Sequence, residues 1–413
     1  MANISLCILI GAIVLGIWRK INVGIIAVGL SIVVAQLGGV SMKAVYGGFP
    51  TKLFVTLLGT MLFFSLLQQN RTLQVFSDFV VRLIGKRLFL LPLVIYVMAF
   101  ALSAVGPGAI PVLPIAIIIG VTLAKQLNIS PVLMGGCATM GAVGGTLSPL
   151  ALTGIIVQGL LVEQGLSSME TELFVKGAIA NLLCMLALYF FYKGYSLKTE
   201  IRFQTLERVQ FNYQQLISLS LLFLLIILVI GFNLDVGLVS FLLATILLGV
   251  RGSDEKAGIA NIPWGVIIMV CGVNVLMTVT QMLGGVKLLA SLLASFMSEQ
   301  TAPAIMALTG GILSQFSSAN GVVIPTLVPT ATDIAAAIPG VGVHELTFAI
   351  TFAAVITLSP LSTAGSLILA TYTQGDENAS KNVNSIFTAL FVWTFIMLIV
   401  FAIICGLGYY SWF

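Results

Sequence analysis

Ionisable side chains are scarce in this chain. Asp, Glu, Lys and Arg make up 8% of its 413 residues, and histidine occurs once. Soluble globular domains carry about a quarter charged residues, so this shortage excludes one. The five cysteines (Cys7, Cys137, Cys184, Cys271, Cys405) lie in apolar segments without CxxC or Cys/His spacing, which excludes a disulfide framework and a zinc site. No predicted span carries Asp, Glu, His, Lys or Arg near its middle. Without a nucleophile beside a base, or a metal cluster, enzyme chemistry has nothing to work with. The glycines at Gly135-Gly136 and Gly141 to Gly145 are not followed by GxxxxGK[ST], so they form no phosphate loop. The sequons at Asn70, Asn128 and Asn378 are too short to decide anything.

What is present is hydrocarbon: 59% of residues are hydrophobic. Windows long enough to cross about 30 Å of bilayer as helices recur along the whole chain. The fold class is therefore an all-α polytopic membrane protein. The first run, Ile4 to Trp18, has no basic stretch before it and Arg19 and Lys20 after it, so it reads as a span and not a cleaved signal. The net charge of +4 sits in short loops and reflects membrane topology, not nucleic-acid binding.

The string Thr-Leu-Ser-Pro-Leu occurs twice, at Thr146 to Leu150 and at Thr357 to Leu361. Sliding the chain against itself by roughly 213 positions aligns the two copies and much else, as internal repeats in transporters do. Val23-Gly24 meets Val236-Gly237, Gly59 meets Gly272, Gln68 meets Gln281, and Ser103, Ile110 and Pro111 meet Ser317, Ile324 and Pro325. The repeat predicts residues 1–195 as a first half, 196–214 as a cytoplasmic linker and 215–413 as a second half. Each half contains five spans and one re-entrant hairpin, about ten spans in all by the length rule. The hairpins are expected at 88–125 and 302–338, and the broken helices at 131–163 and 345–372. The first hairpin turns at Val105-Gly106-Pro107-Gly108.

An odd number of spans inserts the second half upside down. With both termini outside, only Lys43, Lys52, Lys176 and Lys287 are left on the external side, while Arg71, Arg82, Lys86, Arg87, Lys125, Lys193 and the other basic residues face the cytoplasm. That asymmetry obeys the positive-inside rule and assigns the chain to the cell (inner) membrane.

Non-helical backbone at membrane depth must be buried in protein or line a wet cavity. Here it falls at the two hairpin tips and at the breaks Gly144 to Pro149 and Thr357 to Pro360, where Pro149 and Pro360 interrupt the helices. Half-helix N-termini hold anions, and unwound carbonyls hold sodium. The candidate substrate-binding residues are therefore Ser103, Gly106, Thr146, Ser148, Ser317, Ser318, Asn320, Gly321, Thr357, Ser359, Ser362 and Thr363. Asp333 and His344 are expected at the outer end of the second hairpin, facing the surface. With neutral oxygens at the tips, coupling through sodium is favoured over protonation.

Ser317-Ser318-Ala319-Asn320-Gly321 followed by Ile324-Pro325 resembles the hairpin-tip Ser-Asn-Thr signature of divalent anion sodium symporters. Gly144-Gly145-Thr146-Leu147-Ser148-Pro149-Leu150 is similar to their Gly-Gly-x-x-Thr-Pro-Ile unwound helix. The whole pattern most resembles the malonate or dicarboxylate carrier branch of the ion transporter superfamily. The first hairpin departs from the pattern with Val105-Gly106-Pro107 where an Asn is expected, and the second broken helix has Val355-Ile356 in place of Gly-Gly.

The resemblance implies an elevator carrier and a homodimer, with scaffold and transport domains joined by the amphipathic stretches Leu73 to Ile84 and Val286 to Met297. It also implies one Na+ site near Ser103, Gly106 and Gly145, mirrored by a second near Ser317, Asn320 and Leu358. The expected cargo is a small di- or tricarboxylate such as malonate, malate, succinate or citrate. A proton-coupled sugar-acid or monocarboxylate carrier of the gluconate or lactate type is the alternative, and a passive anion channel stands behind it.

Overall fold

The structure, a computed structural model, describes residues 1–19, 21–72, 75, 88–197, 212–232, 234–250, 253–262, 264–315, 317–373 and 380–412. The stretch Leu73 to Ile84, Val75 apart, and most of the 196–214 linker lie outside the described residues.

The first half contains α1 (Ala2–Arg19), α2 (Val23–Gly38), α3 (Met42–Gly47), α4 (Thr51–Gln69), α5 (Leu91–Ala104), α6 (Ala109–Gln126), α7 (Pro131–Gly145), α8 (Leu152–Glu163) and α9 (Glu170–Phe191). The second half contains α10 (Tyr213–Ile226), α11 (Val236–Gly249), α12 (Glu255–Ala260), α13 (Trp264–Met282), α14 (Gly285–Ala294), α15 (Ala302–Ser314), α16 (Ile324–Ala337), α17 (Val343–Val355), α18 (Thr363–Thr373) and α19 (Ser380–Gly406). Among the described residues there is no strand. The chain is an all-helical, multi-pass membrane protein.

Local chemistry sets several helix starts. The Asn22 side chain accepts from the Gly24 amide at 2.9 Å to open α2, and Asp235 accepts from the Leu238 amide at 3.0 Å to open α11. Ser130 caps α7, with Pro131 in its first turn, where a missing amide costs nothing.

Among the described residues, four helical stretches are long and apolar enough to cross a bilayer alone: Met42–Leu67, Ala109–Gln126, Glu170–Phe191 and Asn384–Gly406. The pair α13 and α14 bends by 83° at its break. Other apolar helices are 10–17 residues long. The second arm of the first hairpin, α6, is 18 residues long and runs through Pro114.

Two close crossings fix the framework. Helix α2 lies so near α13 that a Cβ on Gly24 would sit 2.2 Å from the Ile268 carbonyl oxygen, and one on Gly272 would sit 2.3 Å from the Gly24 carbonyl oxygen. Helix α11 meets α4 in the same manner: a Cβ on Gly237 would be 2.5 Å from the Thr56 Cα, and one on Gly59 2.3 Å from the Gly237 carbonyl oxygen. Small residues let membrane helices approach to backbone contact, where dispersion and packing hold them in the absence of a hydrophobic drive. The repeat register pairs Gly24 with Gly237 and Gly59 with Gly272. The short helices α3 and α12 also occupy matching places in the two halves.

The core is divided. One cluster joins α1, α2, α13 and α14 through Leu9, Val34, Leu276 and Val286. The larger cluster holds the hairpins and broken helices, including Leu102, Leu133, Val323 and Phe352. Within it, α5 runs along α7, where Gly141 and Gly145 bring α7 against the carbonyls of Tyr96 and Phe100.

Candidate functional site

The two Thr-Leu-Ser-Pro-Leu strings adopt the same turn. In each, the serine hydroxyl accepts from the amide two residues on: Leu150 N donates to Ser148 Oγ at 3.3 Å, and Leu361 N to Ser359 Oγ at 3.2 Å. Just beyond, a Cβ on Gly154 would lie 2.0 Å from the Ser148 carbonyl oxygen, and one on Gly365 2.1 Å from that of Ser359. Proline opens the helix, the serine closes the turn, and glycine lets the next helix start against it.

The freed amides are largely satisfied by the protein itself. At the second break, Leu358 N donates to Thr394 Oγ1 at 3.1 Å and Ser359 N to Thr357 Oγ1 at 3.2 Å. Gly154 N reaches back to the Thr146 carbonyl at 3.1 Å. Buried amides must find partners, and hydroxyls at these breaks supply them. The amides of Thr363 and Ala364, in the first turn of α18, find no acceptor among the described residues.

The first hairpin tip turns through Gly106 (φ 149°) and Gly108 (φ 71°), conformations in which an L side chain is strained. It also packs tightly: a Cβ on Gly106 would meet the Phe64 ring at 2.3 Å, and one on Gly108 would meet Thr146 Oγ1 at 2.9 Å. The second tip is a π-turn, Ala319–Val323, opened by Ser318, whose hydroxyl accepts from Gly321 N at 3.0 Å. Such turns inside helical elements recur at functional sites.

Between these parts lies a cavity of about 510 Å³. Of the sequence-predicted residues, Thr146, Ser317, Ser318, Asn320, Thr357, Ser362 and Thr363 line it. Ala109, Ile110 and Leu113 of the first hairpin supply an apolar wall. None of its described lining residues is ionisable.

The remaining predicted residues lie behind the lining. Ser103 is buried and donates to the Ala142 carbonyl at 2.6 Å. Ser148 and Ser359 are held by their turns, Gly145 lies against α5, and Leu358 is buried in the core. Gly106 faces Phe64, while Gly321 points toward Met269 of α13. Asp333 and His344 do not line the cavity; His344 Nε2 lies 3.1 Å from the Ser167 carbonyl oxygen.

Thr153 and Gln315 are among the lining residues that the sequence did not single out. Thr153 Oγ1 donates to Asn320 Oδ1 at 2.9 Å and lies 3.1 Å from Thr146 Oγ1. Gln315 Oε1 accepts from Thr357 Oγ1 at 3.2 Å. With its oxygen engaged by Thr153, the Asn320 amide keeps its two N–H donors for other partners.

Residues 1–146 match the sequence profile of the family described as dicarboxylate carrier protein MatC N-terminus. Over that stretch the chain is similar to the dicarboxylate carriers, the branch which the motifs resemble. No curated protein matches the chain by sequence. By fold, the chain is similar to the YdaH transporter of Alcanivorax borkumensis, described as having an unusual topology. The TM-score is 0.57 at 13% identity, over 89% of this chain and 87% of that one. Both likenesses are to transport proteins, not to enzymes.

Proposed function

We propose that this protein is a secondary active carrier of a small di- or tricarboxylate of the malonate, malate, succinate or citrate type, coupled to sodium and working by an elevator movement. The observation that carries this reading is the uncharged 510 Å³ cavity, built where a hairpin tip meets two interrupted helices. Asn320, Ser317, Thr363 and the first amides of α18 offer donors to carboxylate oxygens. The dicarboxylate carrier match over residues 1–146 supports the cargo class.

The cavity lacks a fixed positive charge, so the cargo's negative charge is best balanced by co-bound cations. The chain's oxygens suit sodium. Asn181 is fully buried beside Gly144, donates its Nδ2 to the Gly177 carbonyl, and keeps its Oδ1 without a partner. The hydroxyls of Thr347 and Thr351 are orphaned in the same way in α17. Sodium held near Ser103, Gly106 and Gly145, and near Ser317, Asn320 and Leu358, would supply positive charge; the chain's own residues orient the cargo and exclude water. Asp333 and His344 lie away from the cavity, which disfavours protonation as the coupling step.

The paired glycine crossings, Gly24 with Gly272 and Gly59 with Gly237, are what two inverted halves would produce. Helices α1 and α2 pack in the smaller core cluster with parts of α13 and α14, which also enter the larger cluster through Val270 and Ala290; these four helices would be the scaffold beside a transport unit of hairpins and broken helices. In this reading the carrier is a homodimer of ten-span protomers with both termini outside, and the 83° bend into α14 makes Val286 to Met297 an arm between the two units.

Uptake of labelled dicarboxylates into proteoliposomes, with and without an inward sodium gradient, tests the proposal. Gradient-driven accumulation is expected. Equilibration without accumulation would indicate a channel, and accumulation driven by a pH gradient alone would indicate proton coupling.

A further inference from the structure

A second cavity, of about 250 Å³, lies between the loop Gly47 to Pro50, the end of α8, the later half of α13, and Pro325 and Pro329 of α16. Its charged lining residue is Glu163, the last residue of α8; the other polar lining residues, Gln164, Asn274, Thr278 and Gln281, are neutral. Asn274 is only 6% exposed on the apolar helix α13, and its Nδ2 donates to Glu163 Oε2 at 3.0 Å. Among the described residues, no basic side chain pairs with this carboxylate.

Part of the neutral lining is already committed. Gln164 Oε1 accepts from Thr332 at 2.8 Å, and its Nε2 donates to the Leu160 carbonyl at 3.0 Å. The Thr278 hydroxyl donates to the Asn274 carbonyl at 2.9 Å. Glu163 Oε1 and the Gln281 amide keep their capacity. Gly48 packs its loop so closely on α13 that a Cβ there would lie 3.0 Å from Thr278 Cβ, which brings loop backbone to the cavity wall. A carboxylate with no basic neighbour, in a cavity also lined by the amide side chains of Asn274 and Gln281, offers oxygen ligands to a hard cation. Divalent-cation sites gather several carboxylates, whereas this one has a single negative charge.

We propose that this cavity binds a small monovalent cation, held by the Glu163 carboxylate and the side-chain oxygens of Asn274 and Gln281. Helix α8 connects it to the first cavity. Thr153, in the first turn, holds Asn320, and Glu163 ends the same helix about 15 Å further on at 1.5 Å rise per residue. A cation that draws Glu163 toward α13 thus also acts on the helix that orients Asn320. The site stands on its own residues, while its influence on transport rests on the carrier function proposed above.

The test uses purified full-length protein in detergent without carboxylate. Its unfolding temperature is followed against NaCl, with choline chloride keeping ionic strength constant. A saturable, sodium-specific rise is expected in the wild type. Glu163→Gln is expected to raise the half-saturating concentration by roughly tenfold or more, a loss of differential binding of the size an ion contact supplies. Glu163→Asp should restore part of it, and Gln281→Ala should weaken binding less. Asn320→Ala, at the first cavity, should retain the Glu163-dependent component, so failure of the carrier reading leaves this result standing. A sodium response equal to that of choline, or a Glu163→Gln protein responding like the wild type, overturns the site. Should Glu163→Gln elute as aggregate, Gln281→Ala decides the matter by the same criterion.

Discussion

Thr153 and Asn320 come from opposite halves of the chain, and the threonine hydroxyl donates to the asparagine Oδ1 across 2.9 Å. With the hydroxyl donating to its oxygen, the amide leaves its N–H donors to an anion.

Replacing Thr153 with Val keeps the shape but removes the donor. Asparagine is then free to flip, and dicarboxylate uptake should fall on the order of tenfold, the worth of about one hydrogen bond. Thr153→Ser should retain most activity. The effect should appear in KM more than in the maximal rate, measured in proteoliposomes.

Gly154→Ala and Gly365→Ala place a methyl about where the Ser148 and Ser359 carbonyl oxygens already sit. Each should abolish uptake and cost about 1–3 kcal/mol of stability, as overpacking does. Gly159→Ala is the control. Its Cβ would meet only the end of the Leu53 side chain, at 3.3 Å, and uptake should stay near normal.

Gly24→Val and Gly59→Val should each force a helix pair apart, α2 from α13 and α4 from α11, and lower the unfolding temperature in detergent. Gly29→Val has open space around it and should leave that temperature unchanged. Equal losses at Gly24 and Gly59 are expected because both crossings use the same backbone-to-backbone packing.

Lys176 is buried with its ammonium 3.5 Å from the Tyr410 ring centroid, and it donates to the Tyr410 carbonyl. The Tyr410 hydroxyl donates to Glu172, and burial together with that carboxylate pushes the hydroxyl's pKa up. Lys176→Met should cost about 1–2 kcal/mol, the range of a desolvated cation–π contact, read as a lower unfolding temperature. Tyr410→Phe, which keeps the ring, should cost less.

The helix interruptions are legible in sequence because proline and glycine act on the backbone within a few residues of themselves. The close crossings are legible too, but only through the repeat, in which Gly24 meets Gly237 and Gly59 meets Gly272. Thr153 and Gln315 are not legible, since their roles depend on partners brought from other helices. A threonine in an apolar helix ordinarily bonds its own backbone. Nor is Glu163. Its carboxylate acquires a partner only because α8 ends beside Asn274 of α13. The serines of the two strings pointed to ligands by their position, whereas their hydroxyls are engaged by the turns that the neighbouring prolines require.

The uncharged lining of the larger cavity has an electrical consequence. Moving one elementary charge through a membrane potential is worth about 2.3 kcal/mol per 100 mV. A carrier whose empty site holds no charge returns without being pushed or held by the voltage. Only the loaded step then feels the potential, in proportion to the net charge of cargo plus bound ions, so the current per molecule transported reports the stoichiometry directly.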